Sequence, residues 1–416
     1  MRDLIFKKGF ALLFAVIILS LAGCERIITD SSTSSSTSAY GSHTAPDAET
    51  LQPVYGVWLS CYDMSVCMGY SEKQFSEFAQ NTMLNIKSLG FNTVFCHFRA
   101  FGDAFYRSKY FPFSDFLTGT QGKDPGYDPG KILVSAAKEN GLAIHAWVNP
   151  YRMSRTNDTS KLSKDNVVLT WLSDNSGRAV AIGDKIYLNP ASRDAQALVI
   201  NGVKEILENY EVDGIQFDDY FYPTTEEGFD KASFENYINN SGCLDLDDWR
   251  RANVNALVSA VWKICKNYGK SFGISPSAHI STDKSDKNYT SSYADIPLWM
   301  SQVGYIDYII PQLYFGYEYV EEDFCFDSIL KKWCALPRHS DLKIYIGLAG
   351  YKIGTESEAD GNEWCDSSGA LLSRQALDVF NEPADGIALF SYSSLVSDNP
   401  LNRLYVDNLT EVITSE

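Results

Sequence analysis

Eight short apolar runs, each followed by a longer stretch with helical spacing, constrain this chain more than any other feature. The runs are residues 54–60, 91–98, 142–148, 213–218, 271–275, 306–310, 343–348 and 385–390. They are rich in β-branched and aromatic residues and close to continuously apolar, which reads as parallel strands buried on both faces. Helical patterns fill the intervals, as at 72–89, 130–140, 193–210 and 248–268. Gly90 and Gly141 stand just past two of these helices, where a left-handed residue ends a helix. Asp213-Gly214 and Asp385-Gly386 open two of the strands. Eight such units over residues 51–416 predict one α/β domain, a (β/α)8 TIM barrel with extended βα loops. A doubly wound sheet is disfavoured. Strand 54–60 runs into Cys61-Tyr62-Asp63-Met64 instead of a glycine-rich phosphate turn.

The chain does not start with that domain. Arg2, Lys7 and Lys8 precede an apolar run from Phe10 to Leu19, and Leu21-Ala22-Gly23-Cys24 follows. The run is short of the roughly 20 residues that span a membrane. It reads as a signal peptide, residues 1–24, ending in a bacterial lipobox with Cys24 as the lipidated residue. Residues 25–50 are rich in Ser and Thr and almost free of large apolar groups, so they read as a disordered tether. The expected location is therefore the cell envelope, lipid-anchored, outside the cytoplasmic membrane, with membrane contact through the lipid alone.

Charge narrows the partners. Against 35 Lys+Arg stand 53 Asp+Glu, a net charge of -18. Nucleic acid is excluded, because phosphate binding needs a basic surface. With 25 Tyr, 23 Phe and 8 Trp, the chain has flat side chains enough to pack a core and to stack on sugars. Five His and no zinc-type spacing give no reason to expect a metal or other cofactor. Beyond Cys24, Cys61 and Cys67 could pair across a loop, and the other cysteines read as free thiols. The acidic run Asp245, Asp247, Asp248 reads as a helix start before a calcium loop, since it lacks the full spacing and the glycine.

In a TIM barrel the chemistry sits just past the strand C-termini. The strand ends and the residues just past them hold Trp58 from the first strand, then His97, Arg99 and Asp103, then Trp147, Asn149 and Arg152. Later strands bring Asp218, Asp219 and Tyr220, then Ser275 and His279, then Gln312 and Tyr314. Carboxylates, aromatics and neutral hydrogen-bonding groups suit a hydroxyl-rich polysaccharide. His97 and His145 could equally be core histidines. The paired Asp218-Asp219 is the sharpest signal. Adjacent carboxylates repel when both ionise, so one is held protonated while its neighbour stays charged. Glycoside cleavage requires that division. The competing reading is that one acid caps a turn or pairs with an Arg.

These stretches resemble a known family. Gly56-Val57-Trp58-Leu59, Gly102 to Ser108, His145 to Arg152, Leu188-Asn189-Pro190, Asp213 to Pro223, Gly273 to Pro276 and Pro311-Gln312-Leu313-Tyr314 are similar, in order, to the bacterial glycosyl-hydrolase-like family ten. The resemblance implies a TIM-barrel glycosidase acting on peptidoglycan glycan strands stripped of their peptides. One departure is His97-Phe98-Arg99-Ala100, where the family has Gln-Val-Arg-Pro. Some barrel hexosaminidases carry a similar pair of acids. By that analogy, Asp218 orients the substrate's acetamido group and Asp219 protonates the leaving oxygen. A direct nucleophile would need an acid from elsewhere, with Glu318 in reserve. The rival class is a non-catalytic glycan-binding lipoprotein. A metal-dependent deacetylase is weaker for want of ligands.

Overall fold

A computed structural model describes residues 53–281 and 283–415. The segments expected to be a signal peptide ending at Cys24 and a tether lie outside the described residues. Eight parallel strands close into a barrel: β1 (Val54–Leu59), β2 (Thr93–Arg99), β3 (Ala143–Val148), β4 (Gly214–Phe217), β5 (Ser271–Ile274), β6 (Tyr308–Ile309), β7 (Lys343–Ala349) and β8 (Gly386–Phe390). The ring closes where β1 pairs with both neighbours, Val54 opposite Gly386 and Gly56 opposite Thr93. One principal helix follows each strand: α1 (Glu72–Ser88), α2 (Pro129–Glu139), α3 (Arg193–Asn209), α4 (Leu246–Asn267), α5 (Ile296–Ser301), α6 (Phe326–Cys334), α7 (Leu371–Phe380) and α8 (Pro400–Ser415). The expected TIM barrel is therefore present.

Local chemistry explains the junctions. Ser71 and Gln74 form a capping box at the start of α1. Gly90 and Gly141 take the left-handed conformation, φ 83° and 65°, between helix and strand. A polar residue just ahead of a strand ties it to the strand before. Asn92 Oδ1 accepts from the Tyr55 amide at 3.0 Å, and Asp213 Oδ2 from the Ile144 amide at 2.9 Å. Asp307 Oδ2 accepts from Phe272 at 2.8 Å and Asp385 Oδ2 from Ile344 at 2.9 Å. Four ties of one kind thus hold the N-terminal rim, the end away from the chemistry.

The barrel interior is packed, not hollow. A methyl at Gly214 would overlap the His145 ring, and one at Gly273 would overlap the Tyr308 ring. Those glycines make room for the two rings, which meet through His145 Nδ1 and the Tyr308 hydroxyl at 2.8 Å. His145 is a core histidine. Above it lie Trp58, Phe95 and Trp147, with Phe390 packed against them. Trp58 donates Nε1–H to Gln216 Oε1 at 3.1 Å, which satisfies its buried polar atom.

Three features depart from or refine the sequence reading. A small antiparallel sheet, Arg152–Ser154, Ala179–Ile182 and Lys185–Leu188, fills the excursion between β3 and α3. Its strands are too short to register as periodic runs. Cys61 and Cys67 are separate buried thiols, not a disulfide. Burial raises both, Cys67 to about 12, so they behave as small apolar side chains. The acidic run is a helix start. Asp245 caps α4 by accepting from the Asp248 amide at 2.8 Å, and Asp248 pairs with Arg251.

The long excursion between β4 and α4 is anchored from below by Arg250. Its guanidinium donates to the Asp230 carboxylate at 2.6 and 3.0 Å. It also donates to the carbonyls of Thr225 at 3.1 Å and Glu226 at 2.8 Å, and to the Tyr293 hydroxyl at 2.9 Å. Both charged side chains of the pair are fully buried.

Candidate active site

At the C-terminal ends of the strands the loops enclose a cavity of about 290 Å³. Strand ends supply its floor: Trp58 from β1, His97 from β2, Trp147 from β3 and Phe390 from β8. Residues just past strands supply its polar walls: Asn149 and Arg152, Asp218 and Tyr220, Ser275, and Gln312 with Tyr314. The structure thus brings these residues together, all of them but Phe390 expected from the sequence.

Asp218 is buried at the end of β4 and strongly oriented. Its Oδ1 accepts from the Asp219 backbone amide at 2.9 Å and from Gln312 Nε2 at 3.2 Å. Gln312 is itself fixed, since Nε2 also donates to the Ser275 carbonyl at 3.0 Å, and Ser275 Oγ donates to the Ile310 carbonyl at 2.9 Å. Burial raises the Asp218 carboxyl, while those donors and the Arg152 charge oppose the rise. Asp219 is half-buried and sits next to it. Burial and then the Asp218 charge push its carboxyl well above the ordinary carboxylate range. Of the two carboxyls, Asp219 is thus the one pushed further toward its neutral form. Tyr314 and Tyr220 both feel the Asp218 charge. Arg152 lies over the Phe101 and Tyr220 rings, 5.0 Å from each centroid, and the small antiparallel sheet holds its backbone opposite Tyr187.

Other lining residues carry buried polar atoms with no protein partner. His97 accepts the Cys61 amide on Nδ1 at 3.0 Å, so a neutral ring carries its proton on Nε2. Burial holds its ionisation well below the usual histidine range. The ring stacks on Trp147 with centroids 3.3 Å apart and planes at 13°. His97 Nε2, Trp147 Nε1 and Asn149 Oδ1 are all buried and unpaired. Two donors and an acceptor in one apolar-sided cavity call for a ligand with hydroxyl or amide groups.

Four predicted residues stand elsewhere. Asp219 is beside the cavity, not in its lining. Arg99 is 1% exposed and serves as a strut, donating to the carbonyls of Phe101 at 3.1 Å and Pro150 at 3.0 Å. It fastens the loop after β2 to the loop after β3. Asp103 lines a neighbouring cavity with Gln121 and Arg155. His279 lines a third, against Phe324, so its chain position after β5 does not bring it to Asp218. The reserve acid, Glu318, is exposed and lines a fourth cavity with Glu363 and Arg374. Among the described residues, no group of three or more His, Cys, Asp or Glu is placed to hold a metal ion.

Sequence reasoning missed Cys61, Tyr62, Phe101 and Phe390 in the lining, which Ser60 just after β1 and Tyr351 after β7 complete. It also missed Asp63, which braces the rim. Asp63 Oδ2 accepts from the Ser60 amide and hydroxyl at 2.8 and 2.6 Å, and Oδ1 from Ser391 Oγ and the Ser393 amide, both at 3.0 Å. Its part in the brace offered no signal, because the partners across the rim, Ser391 and Ser393, are 328 and 330 residues away in sequence.

Comparison with known proteins agrees with this geometry. The catalytic domain of β-amylase from Paenibacillus polymyxa superposes with a TM-score of 0.53 at 10% identity, over 86% of this chain and 97% of that one. The glycoside hydrolase domain of PgaB (BpsB) from Bordetella bronchiseptica gives 0.53 at 10% identity, over 87% and 99%. At such identity these likenesses establish the barrel alone. Sequence relatives are nearer. Glycosyl hydrolase DigH of Escherichia coli K12 is 29% identical over 393 residues, 86% of each chain. Glycosyl hydrolase YngK of Bacillus subtilis is 33% identical over 330 residues, which cover 74% of this chain and 62% of that protein. The family model described as "Glycosyl hydrolase-like 10" matches residues 53–366, from the first barrel strand to beyond the seventh. The chain therefore belongs to the glycosyl hydrolase-like 10 family, and its chemistry is that of a glycosidase.

Proposed function

We propose that this protein is an envelope lipoprotein that hydrolyses O-glycosidic bonds in an N-acetylated glycan, namely peptidoglycan glycan strands, with Asp218 and Asp219 as its working acids. The observation that carries the reading is the asymmetry of that pair. Asp218 receives two hydrogen bonds that favour its charged form, and Asp219 is pushed toward its protonated form. A charged acid in the cavity lining with a neutral one next to it is the arrangement a glycosidase uses to protonate the leaving oxygen.

The assignment of roles follows. Asp219 gives its proton to the glycosidic oxygen, and Asp218 holds the acetamido group of the sugar so that its carbonyl oxygen attacks the anomeric carbon. Water then opens the resulting ring, with Asp219 taking the proton back. Two-carboxylate retention would need a second acid about 5–5.5 Å from Asp218. No carboxylate other than Asp218 is among the described cavity residues, which favours the substrate's own acetamide as nucleophile. The unpaired His97 Nε2, Trp147 Nε1 and Asn149 Oδ1 suit hydroxyl and amide groups of such a sugar.

The direct test is release of new reducing ends from purified peptidoglycan, with and without prior removal of stem peptides. Release from stripped glycan is expected, abolished by Asp218→Asn and by Asp219→Asn. Tight binding without any release would replace the hydrolase reading with a glycan-binding one. The anchor is tested separately. Radiolabelled palmitate should enter the full-length protein in cells and be lost in Cys24→Ala, and labelling that survives the substitution would refute the lipobox.

A further inference from the structure

Asp103 stands in a built environment that the central cavity does not use. The loop after β2 is stitched to the excursion after β3, with the Gly102 amide donating to the Met153 carbonyl at 2.9 Å and Asn166 Nδ2 to the Gly102 carbonyl at 3.1 Å. Gln121 occupies this seam with both ends engaged. Its Nε2 donates to Asp103 Oδ2 at 3.0 Å, and its Oε1 accepts from the Ser163 amide at 3.0 Å and Asn166 Nδ2 at 3.1 Å. Asp103 is thus held in one orientation by a partner that cannot turn.

Its other oxygen is left over. Oδ1 is buried without a hydrogen-bond partner, and the Ser114 hydroxyl lies close enough to favour the charged carboxylate. The residue is only 2% exposed, and burial lifts its carboxyl to about 6. It lines a cavity of about 310 Å³ together with Gln121, Ser154, Arg155 and Thr156. Phe101 is a wall of this cavity and of the central one. The cations here are already matched. Arg155 pairs with Asp115 at 2.6 Å and Lys161 with Asp158 at 3.8 Å. What remains is an oriented acceptor among hydroxyls, which suits a neutral hydroxyl-bearing group better than an anion.

We infer that the cavity beyond Phe101, headed by Asp103, is a second sugar subsite that binds the neutral pyranose next to the one held over Asp218. The inference rests on the glycan-hydrolase reading above and extends it. A chain that fills both cavities must be longer than its cleaved unit, so affinity rises in a step when an oligomer first reaches Asp103. That step measures the subsite and not the chemistry.

The experiment is titration calorimetry of Asp219→Asn protein against a length ladder of oligomers purified from stripped peptidoglycan glycan. A step in affinity at one length is expected. Adding Asp103→Asn should shrink the step about tenfold, the scale of one lost hydrogen bond to a buried acceptor. Adding Thr156→Trp, which fills the cavity without touching Asp103, should shrink it likewise. Equal steps in all three proteins, or a ladder that rises smoothly in Asp219→Asn protein, overturn the subsite and leave the hydrolase reading standing. No binding at any length overturns both.

Discussion

Asp219→Asn is expected to lower turnover on stripped glycan by about 10² to 10⁴, the usual contribution of a positioned general acid. An amide in that place keeps the shape and can still hydrogen-bond, but it has no acidic proton to give. The pH profile carries the same information with a sign. Activity needs Asp218 charged and Asp219 protonated. Falling pH protonates Asp218 and removes the orienting charge. Rising pH strips Asp219 and removes the acid. Because burial and the Asp218 charge hold Asp219 well above ordinary carboxylates, the alkaline limb lies well above that range and reports mainly on Asp219. Asp219→Asn should lose that limb, and aryl glycosides with good leaving groups should suffer much less from the substitution. Wild-type turnover in a folded Asp219→Asn protein would remove Asp219 from the mechanism.

The largest loss of stability is expected from Arg250→Ala. Removing the guanidinium strands the Asp230 carboxylate, whose side chain is fully buried, and orphans the carbonyls of Thr225 and Glu226. Breaking one side of a buried ion pair costs about 3–5 kcal/mol. A shift of that size in the urea midpoint at unchanged slope is the expected observation. Lysine should rescue little, because a single ammonium cannot reproduce the fork that binds Asp230, two carbonyls and Tyr293 together. The loss also reaches the site, since the excursion that Arg250 anchors begins at Asp219 and Tyr220. A midpoint shift worth less than about 1 kcal/mol would show that the pair is a passenger, as exposed ion pairs are.

The barrel was legible because each strand announces itself locally. Near-continuous apolar runs, helix-ending glycines and Asp-Gly strand openings are patterns of neighbouring residues, and the observed strands lie within a residue or two of the runs. The central cavity was legible for a related reason. In this fold, being just past a strand is close to being in the site, and Asn149, Arg152 and Gln312 follow that rule. Position alone does not say which way a side chain turns. Arg99 turns back under Phe111, 4.8 Å from its centroid, and His279 turns toward Phe324. The sheet that carries Arg152 was hidden because strands of three or four residues leave no period to count.

The brace at Asp63 bears on when the enzyme comes into being. It joins the end of β1 to the residues after β8, the first and last strands made on the ribosome. A chain synthesised as far as β7 already holds Asp218, Asp219 and Gln312. It still lacks Phe390 in the cavity wall and the two serines that complete the rim. The catalytic pocket is therefore assembled by the final stitch of the ring, so partly made or C-terminally clipped chains carry the acids without a place to use them.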